Sequence, residues 1–265
     1  MKKVVPVSVI IPCYNAATTI ERAVASVIEQ TVLPQEVIIV DDRSSDDSWT
    51  VLKDIKAAYK NIIKLIIIRN AVNVGAGQAR NYAWDKAKGK YLAFLDADDA
   101  WFFNKLEVQF GIMENSDDID ISCHKMILDE NKDDDENYRW FYVNKYRALF
   151  KNQMMTPSVM LKRSIPYRFK TDKRYAEDTS LWCELLFNNY RVVYIDRALA
   201  RVFKPFYGSS GLSGRMLEME KGELKNFIDL YNKNKLPLVM FVAVYIFSII
   251  KYIRRVIKVR IRSWS

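Results

Sequence analysis

Three carboxylates in four residues, Asp96, Asp98 and Asp99 around Ala97, follow directly on the apolar run Tyr91 to Leu95. Acids crowded at a strand exit repel one another, so a positive group is expected among them. In an extended segment residues two apart point the same way. Asp96 and Asp98 can therefore converge on one hard dication, Mg2+ or Mn2+, while Asp99 faces elsewhere. An ion held by few protein oxygens keeps positions open for phosphate. The competing reading is that the acids cap a helix beginning near Trp101. A second acidic pair, Glu177 and Asp178, stands at the start of a helix expected over Asp178 to Phe187 and carrying Trp182, where the plain reading is negative charge at a helix N-terminus.

The elements that must position these groups alternate through the first hundred residues. Val7 to Ile11 reads as a first strand, and Thr18 to Gln30 as an amphipathic helix in which Thr18 and Glu21 have capping-box spacing. Glu36 to Val40 is a second strand, Ser48 to Tyr59 a helix, Ile62 to Ile68 a third strand, Gln78 to Lys88 a helix ended by Gly89, and Tyr91 to Leu95 a fourth strand. Continuous Val/Ile/Leu strands between helices imply a mostly parallel sheet covered on both faces, an α/β fold. Ligands bind such open sheets beyond the carboxyl ends of the strands, where the polar clusters of this chain fall.

Beyond Trp101 the alternation fades. Asp129 to Asn137 is an acidic run expected to be a solvated loop. Met155 to Leu161 is expected as a strand, Arg191 to Val202 as one or two strands, and Arg215 to Tyr231 as a helix. His124 lies in the apparent strand Asp120 to Leu128, as a structural histidine.

The chain has 265 residues and a formal charge of +9. Six of those charges, Lys251, Arg254, Arg255, Lys258, Arg260 and Arg262, stand at the end, with no acid after Leu236. The excess is a basic tail rather than a basic body, which argues for an anionic surface and against nucleic acid. Three widely spaced cysteines, Cys13, Cys123 and Cys183, indicate neither a disulfide framework nor a thiolate zinc site and suit a reducing cytosol.

Leu236 to Ile250 carries no charge, but at about 1.5 Å per residue it falls short of the roughly 30 Å of a bilayer's hydrocarbon. Continued as a helix, it sets Lys251, Arg255, Lys258 and Arg262 on one stripe, largely opposite Ile246, Ile249, Ile250, Ile253 and Ile257. That pattern suits an amphipathic tail lying in an anionic membrane interface, peripheral on the inner face of the cell membrane. The alternative is a helix packed on the protein's own core or on a second copy in a homodimer.

Four ordered segments carry a resemblance: Ser8 to Asn15 (SVIIPCYN), Val37 to Asp46 (VIIVDDRSSD), Asn73 to Asn81 (NVGAGQARN) and Phe94 to Asp99 (FLDADD). Together they resemble the inverting, family-two glycosyltransferases of the GT-A fold, with a looser likeness through Thr156 to Met160 and Glu177-Asp178. One departure is Arg43, where the family usually has glycine, so a tighter or differently turned loop is expected there.

The resemblance implies a sugar moved from a nucleotide diphosphate donor, commonly a uridine diphosphate sugar, to a hydroxyl of a glycan or lipid-linked acceptor. The donor would be held by Pro12, Tyr14, Asn15, Asp41, Asp42, Asn73, Gly75, Arg80 and Asp96. Tyr14 offers a ring face to the base, and Asp41 or Asp42 and Arg80 match its polar edges. By the same carry-over Asp98, with Asp96, holds Mn2+ or Mg2+, which neutralises the departing diphosphate. Inversion is one in-line displacement and needs a base on the acceptor side, for which Asp178 is the choice and Glu177 the alternative. Thr156, Ser158 and Trp182 are assigned to the acceptor side. Lys204 and Arg215 bracket a Gly/Ser-rich stretch, Gly208 to Gly214, read either as a flap over the diphosphate or as a flexible connector.

The expected organisation is a nucleotide-sugar-binding half over 1–100, an acceptor-binding and catalytic half over 101–215, and C-terminal helices with the membrane-associating tail over 216–265. Rival activities fit less well. The dinucleotide fingerprint G-x-G-x-x-G fails where Arg80 stands, the glycine- and lysine-rich first loop of a nucleotidyltransferase is absent, and no Q-x-x-R-W signature of a processive polymerase is present. A membrane-attached protein that binds sugar nucleotides without turnover is the remaining alternative.

Overall fold

The computed structural model describes residues 2–128, 138–205, 208 and 214–262. The acidic run Asp129 to Asn137 and most of the Gly208 to Gly214 stretch therefore lie outside the described residues. In chain order the elements are β1 (Val4–Cys13), α1 (Ile20–Ile28), β2 (Leu33–Asp41), α2 (Ser48–Tyr59), β3 (Leu65–Arg69), α3 (Ala76–Lys86), β4 (Tyr91–Phe94) and β5 (Ala100–Trp101). They continue with α4 (Lys105–Glu114), β6 (Ile121–Leu128), β7 (Trp140–Tyr142), α5 (Lys145–Phe150), a 3-10 turn (Thr156–Ser158) and β8 (Met160–Lys162). The chain closes with α6 (Glu177–Phe187), β9 (Val192–Val202), α7 (Met216–Asn232) and α8 (Leu238–Arg262).

One sheet runs through the molecule in the order β3-β2-β1-β4-β8-β6-β9-β5, with β7 also on β9. The first four strands are parallel, β8 runs antiparallel to both β4 and β6, and β6 and β9 are parallel again. Alternation along β1 and β2 divides the core. Val9, Ile11, Val37 and Ile39 point to the face covered by α1, α2 and α4, whereas Ile10, Ile38 and Val40 join α3, α6 and α7 on the other. Burying each such side chain contributes about 1.5–3 kcal/mol. Gly89 sits where β4 meets β1, and a Cβ there would lie 2.6 Å from the Ser8 nitrogen. Next to it the buried Glu36 accepts from Ser8 Oγ (2.8 Å), Lys88 N (2.6 Å) and Lys64 Nζ (2.8 Å), closing the lower end of β1, β2 and β4.

Several local expectations are corrected. No helix begins near Trp101, because Ala100 and Trp101 pair with β9 as a short strand and α4 starts at Lys105. Met155 to Leu161 is a 3-10 turn followed by β8. The Thr18–Glu21 capping box is not formed, since α1 starts at Ile20 with no side-chain cap.

Helix α8 packs on α7. Ser248 Oγ donates to Glu220 Oε1 at 2.8 Å, and Lys251 and Arg255 both reach Glu223. The basic stripe expected to face outward thus turns partly inward, while Val239, Ile246, Ile250, Ile253, Ile257 and Ile261 are exposed. No described helix is long and apolar enough to cross a membrane.

Candidate active site

The site forms at the carboxyl ends of β1, β2 and β4, where loops from distant parts of the sequence meet. The first two loops are laced together. Asn15, at φ 49°, donates its backbone N–H to Ser44 Oγ (3.0 Å) and accepts at Oδ1 from Ser45 N (2.8 Å). Tyr14 is 51% exposed at the rim, and Pro12 is half-buried behind it. Arg43 has φ 62°, the left-handed conformation glycine adopts freely, so the turn keeps a glycine-like path at a cost of about 1–2 kcal/mol.

Asp41 and Asp42 are both buried and occupied by their own loops. Asp41 pairs with Arg69 Nε (3.0 Å) and accepts from Ser44 N (3.2 Å). Asp42 accepts from Asn70 Nδ2 (2.8 Å), Val74 N (2.9 Å) and Gly75 N (2.7 Å), while its carbonyl accepts from Asn73 Nδ2 (3.0 Å). Neither carboxylate is presented to a base edge in this conformation; the pair braces the second and third loops. Gly75, at φ 86°, opens α3 with open space where a Cβ would stand. The third loop lines a cleft of about 160 Å³ with Lys170 to Arg174 opposite and Glu177 in its wall.

Arg80 is neither solvated nor paired with Asp85, which binds Arg168 instead. Its buried guanidinium lies between Asp96 Oδ1 (2.6 Å) and Glu177 Oε1 (3.1 Å), joining the two acidic clusters singled out above, 81 residues apart in number. A Cβ on Gly77 would fall 2.9 Å from Glu177 Cγ, so the first turn of α3 admits this carboxylate only because residue 77 has no side chain. Arg80 thus serves the acids rather than a base edge.

Glu177 and Asp178 open α6 behind Ala176, whose φ of 53° is left-handed. Strain of this kind persists only where neighbours impose it. Here α7 does so: Asn226 Nδ2 donates to the Ala176 carbonyl (3.0 Å). Burial, reinforced by Asp178 and opposed by Arg80, raises the Glu177 carboxyl to about 7. Asp178 is half-buried, with Oδ2 accepting from Thr156 Oγ1 (3.1 Å) and Oδ1 from Thr179 N (2.6 Å).

Burial, with Asp96 and Asp98 adding repulsion and Lys204 and Arg22 opposing it, raises the Asp99 carboxyl to about 9. Burial also raises Asp96, against Arg80. Asp98 is paired with the ammonium of Lys204. Among the described residues no three acids, histidines or cysteines gather into a metal cage. The donor set still fits a hard dication held by one or two carboxylates and completed by phosphate and water, and the Lys204 ammonium marks the place on Asp98 where positive charge is wanted.

Other assignments fall outside the site. Trp182 is buried among Phe94 and Phe169, and Ser158 is fully buried with its hydroxyl on Met155 O (2.7 Å), so neither lines an acceptor pocket. Thr156 is buried and reaches the site only through Asp178. Arg215 is exposed, donating to the Tyr175 hydroxyl (3.3 Å). Arg22 and Phe203, which flank Asp98 and Lys204, carry no motif; the bond from Arg22 to the Asp98 carbonyl and its stacking on Phe203 reveal them.

A mostly parallel sheet with acids at the exit of its fourth strand and a second acidic pair brought in by a later helix defines a GT-A sugar-nucleotide transferase. Residues 8–175 match the family described as Glycosyl transferase family 2. The chain belongs to that family and is a glycosyltransferase. It is 30% identical over 263 residues to an uncharacterized glycosyltransferase of Methanocaldococcus jannaschii, covering 93% of this chain and 87% of that protein. It is 32% identical over 193 residues to the UDP-Glc:alpha-D-GlcNAc-diphosphoundecaprenol beta-1,3-glucosyltransferase WfgD of Escherichia coli, covering 69% of this chain and 70% of that one. The fold is shared with the mannosyltransferase PcManGT from Pyrobaculum calidifontis, solved with GDP-Man and Mn2+, at TM-score 0.70 and 18% identity over 91% of this chain and 69% of that one.

Proposed function

We propose that the chain transfers a sugar with inversion from a uridine diphosphate donor to a hydroxyl of a lipid-linked glycan acceptor, with Mn2+ or Mg2+ at Asp98 and Asp96. The observation that carries this reading is the bridge Asp96–Arg80–Glu177, which fixes the acids of residues 96–99 beside Asp178. The diphosphouridine donor and the lipid-linked acceptor are supported by the name of WfgD, and the dication by the Mn2+ of PcManGT. When bound, the cation would neutralise charge on the departing diphosphate.

The chain's own residues do the rest. Tyr14, Pro12, Asn15, Asn73 and Gly75 form the rim against which the nucleoside lies, within residues 1–100. Asp178 accepts the acceptor's proton, held in orientation by Thr156 and Thr179. Glu177, nearly buried and tied to Arg80, positions the cluster rather than meeting the acceptor. Residues 101–215 supply this acceptor side. The exposed isoleucines of α8, flanked by the exposed Arg254 and Lys258, lie in an anionic membrane interface at the inner face of the cell membrane.

Products decide the first part: incubation with a UDP-sugar, dication and a diphospholipid-linked saccharide should yield UDP and a lengthened acceptor by mass spectrometry. Pyrophosphate with a new sugar nucleotide, or no turnover with any sugar nucleotide tried, would reject it. For the tail, Ile250→Glu with Ile253→Glu should reduce sedimentation with phosphatidylglycerol vesicles, and unchanged sedimentation would remove α8 from that role. This pair is preferable to truncation at Lys235, which would remove the core residues Leu236 and Val244 along with the tail.

A further inference from the structure

The register joining β5 to β9 sets a lysine where a dication is wanted. Ala100 pairs with Arg201 and Trp101 with Ala200 in antiparallel sense. Continuing that register two steps past Ala100 sets Asp98 opposite Phe203, next to Lys204. The Lys204 ammonium is ion-paired with Asp98 Oδ2, and the two side chains are 41% and 32% exposed. Arg22 locks the arrangement from α1: it donates through Nη2 to the Asp98 carbonyl at 2.8 Å, and its guanidinium carbon stands 3.5 Å from the centroid of the Phe203 ring. The lysine is thus held at this carboxylate by a strand register and a stacked arginine, not by chance contact of two surface side chains.

We propose that Lys204 is a built-in counter-ion, which holds Asp98 while the donor is absent and passes to the donor's diphosphate when a dication replaces it. The inference rests on Asp98 being the dication's ligand. A dication arriving alone would have to displace the ammonium and leave it stranded beside a like charge. Arriving with a nucleoside diphosphate, it brings the anion that the displaced ammonium can pair with. No covalent bond changes; four charged groups, the carboxylate, the ammonium, the dication and the diphosphate, exchange partners. Metal and diphosphate must therefore bind with positive coupling, and coupling of this kind is reciprocal. Lys204 is a positioning residue for the donor complex, and its effect is visible without turnover.

The test is titration of MnCl2 into the whole chain, reading free Mn2+ by electron paramagnetic resonance, with and without UDP. The wild type should bind Mn2+ weakly alone and more tightly with UDP. Lys204→Met should bind Mn2+ alone about five-fold more tightly, the scale of a half-exposed ion pair, and its gain from UDP should shrink. Lys204→Arg, which keeps the charge, should behave as the wild type. Mn2+ affinity in Lys204→Met that is unchanged or weaker without UDP would overturn the counter-ion role. Asp98→Asn separates the two levels: if that variant binds Mn2+ as well as the wild type, the assignment of Asp98 as metal ligand fails, whatever Lys204 does.

Discussion

The loops after β2 and β3 and the acid cluster after β4 are built from the same residue type in opposite electrostatic conditions. Asp42 meets three donors and Asp41 an arginine and a backbone nitrogen, so their charge is answered within the chain and the loops are pre-organised. Asp96, Asp98, Asp99, Glu177 and Asp178 are five acids set against the cations Arg80, Lys204 and Arg22, and burial raises Asp99 and Glu177 far above the ordinary carboxylate range. A satisfied carboxylate shapes a loop, whereas an unsatisfied group of them stores a demand for positive charge that a ligand complex can meet.

Substitutions on the two sides should separate these roles. The largest effect is expected from Arg80→Met, which leaves the buried Glu177 and the half-buried Asp96 without their shared cation. It should cost about 3–5 kcal/mol in urea unfolding and abolish transfer. If stability held, the bridge would not be what fixes the cluster. Asp42→Asn turns an amide NH2 toward the Gly75 or Val74 nitrogen and should cost about 2–3 kcal/mol, with a raised KM for donor as the loop loosens. An unchanged unfolding midpoint would show that the third loop holds its shape unaided.

A pH series sharpens the other side. Asp99 keeps its proton in the folded state up to about pH 9 but loses it in the unfolded chain above its ordinary value of 3.8. The folded state is therefore penalised progressively as pH rises from about 4 towards about 9. With chelator present, Asp99→Asn should gain stability relative to the wild type across that window, and parallel urea midpoints from pH 5 to 8.5 would contradict this. Lys105, buried and lowered well below its ordinary range, pulls the opposite way but equally in both proteins. The smallest effect is expected from Trp182→Phe. This removes a buried Nε1 that has no hydrogen-bond partner among the described residues and should leave kcat/KM unchanged; a large fall would return Trp182 to the acceptor side.

The first four strands and three helices were legible because long Val/Ile runs switch to helical spacing and back, a signal carried by each segment alone. Ala100–Trp101 was not legible, since two residues have no period and become a strand only because Ala200 and Arg201 are there to pair with them. The acids at 96–99 and 177–178 stood out by charge and position. What charge could not show is where a carboxylate points: Asp41 and Asp42 look like ligand groups in sequence but turn to Arg69 and to the backbone of the third loop. Trp182 and Ser158 failed for a related reason, since proximity in sequence to Asp178 and Thr156 says nothing about which side of the element each occupies.

Gly89 lies at the opposite end of β4 from the acids, yet it governs them. Because β1 and β4 touch there with no room for a methyl group, even alanine would act as a wedge, prying the two strands apart at their base. Asp96 and Asp98 ride at the tip of the same short strand, so a small angular error at the base becomes a displacement at the tip. An enzyme damaged at residue 89 would keep every catalytic group and still misalign them, a defect that should worsen on warming and ease in the cold.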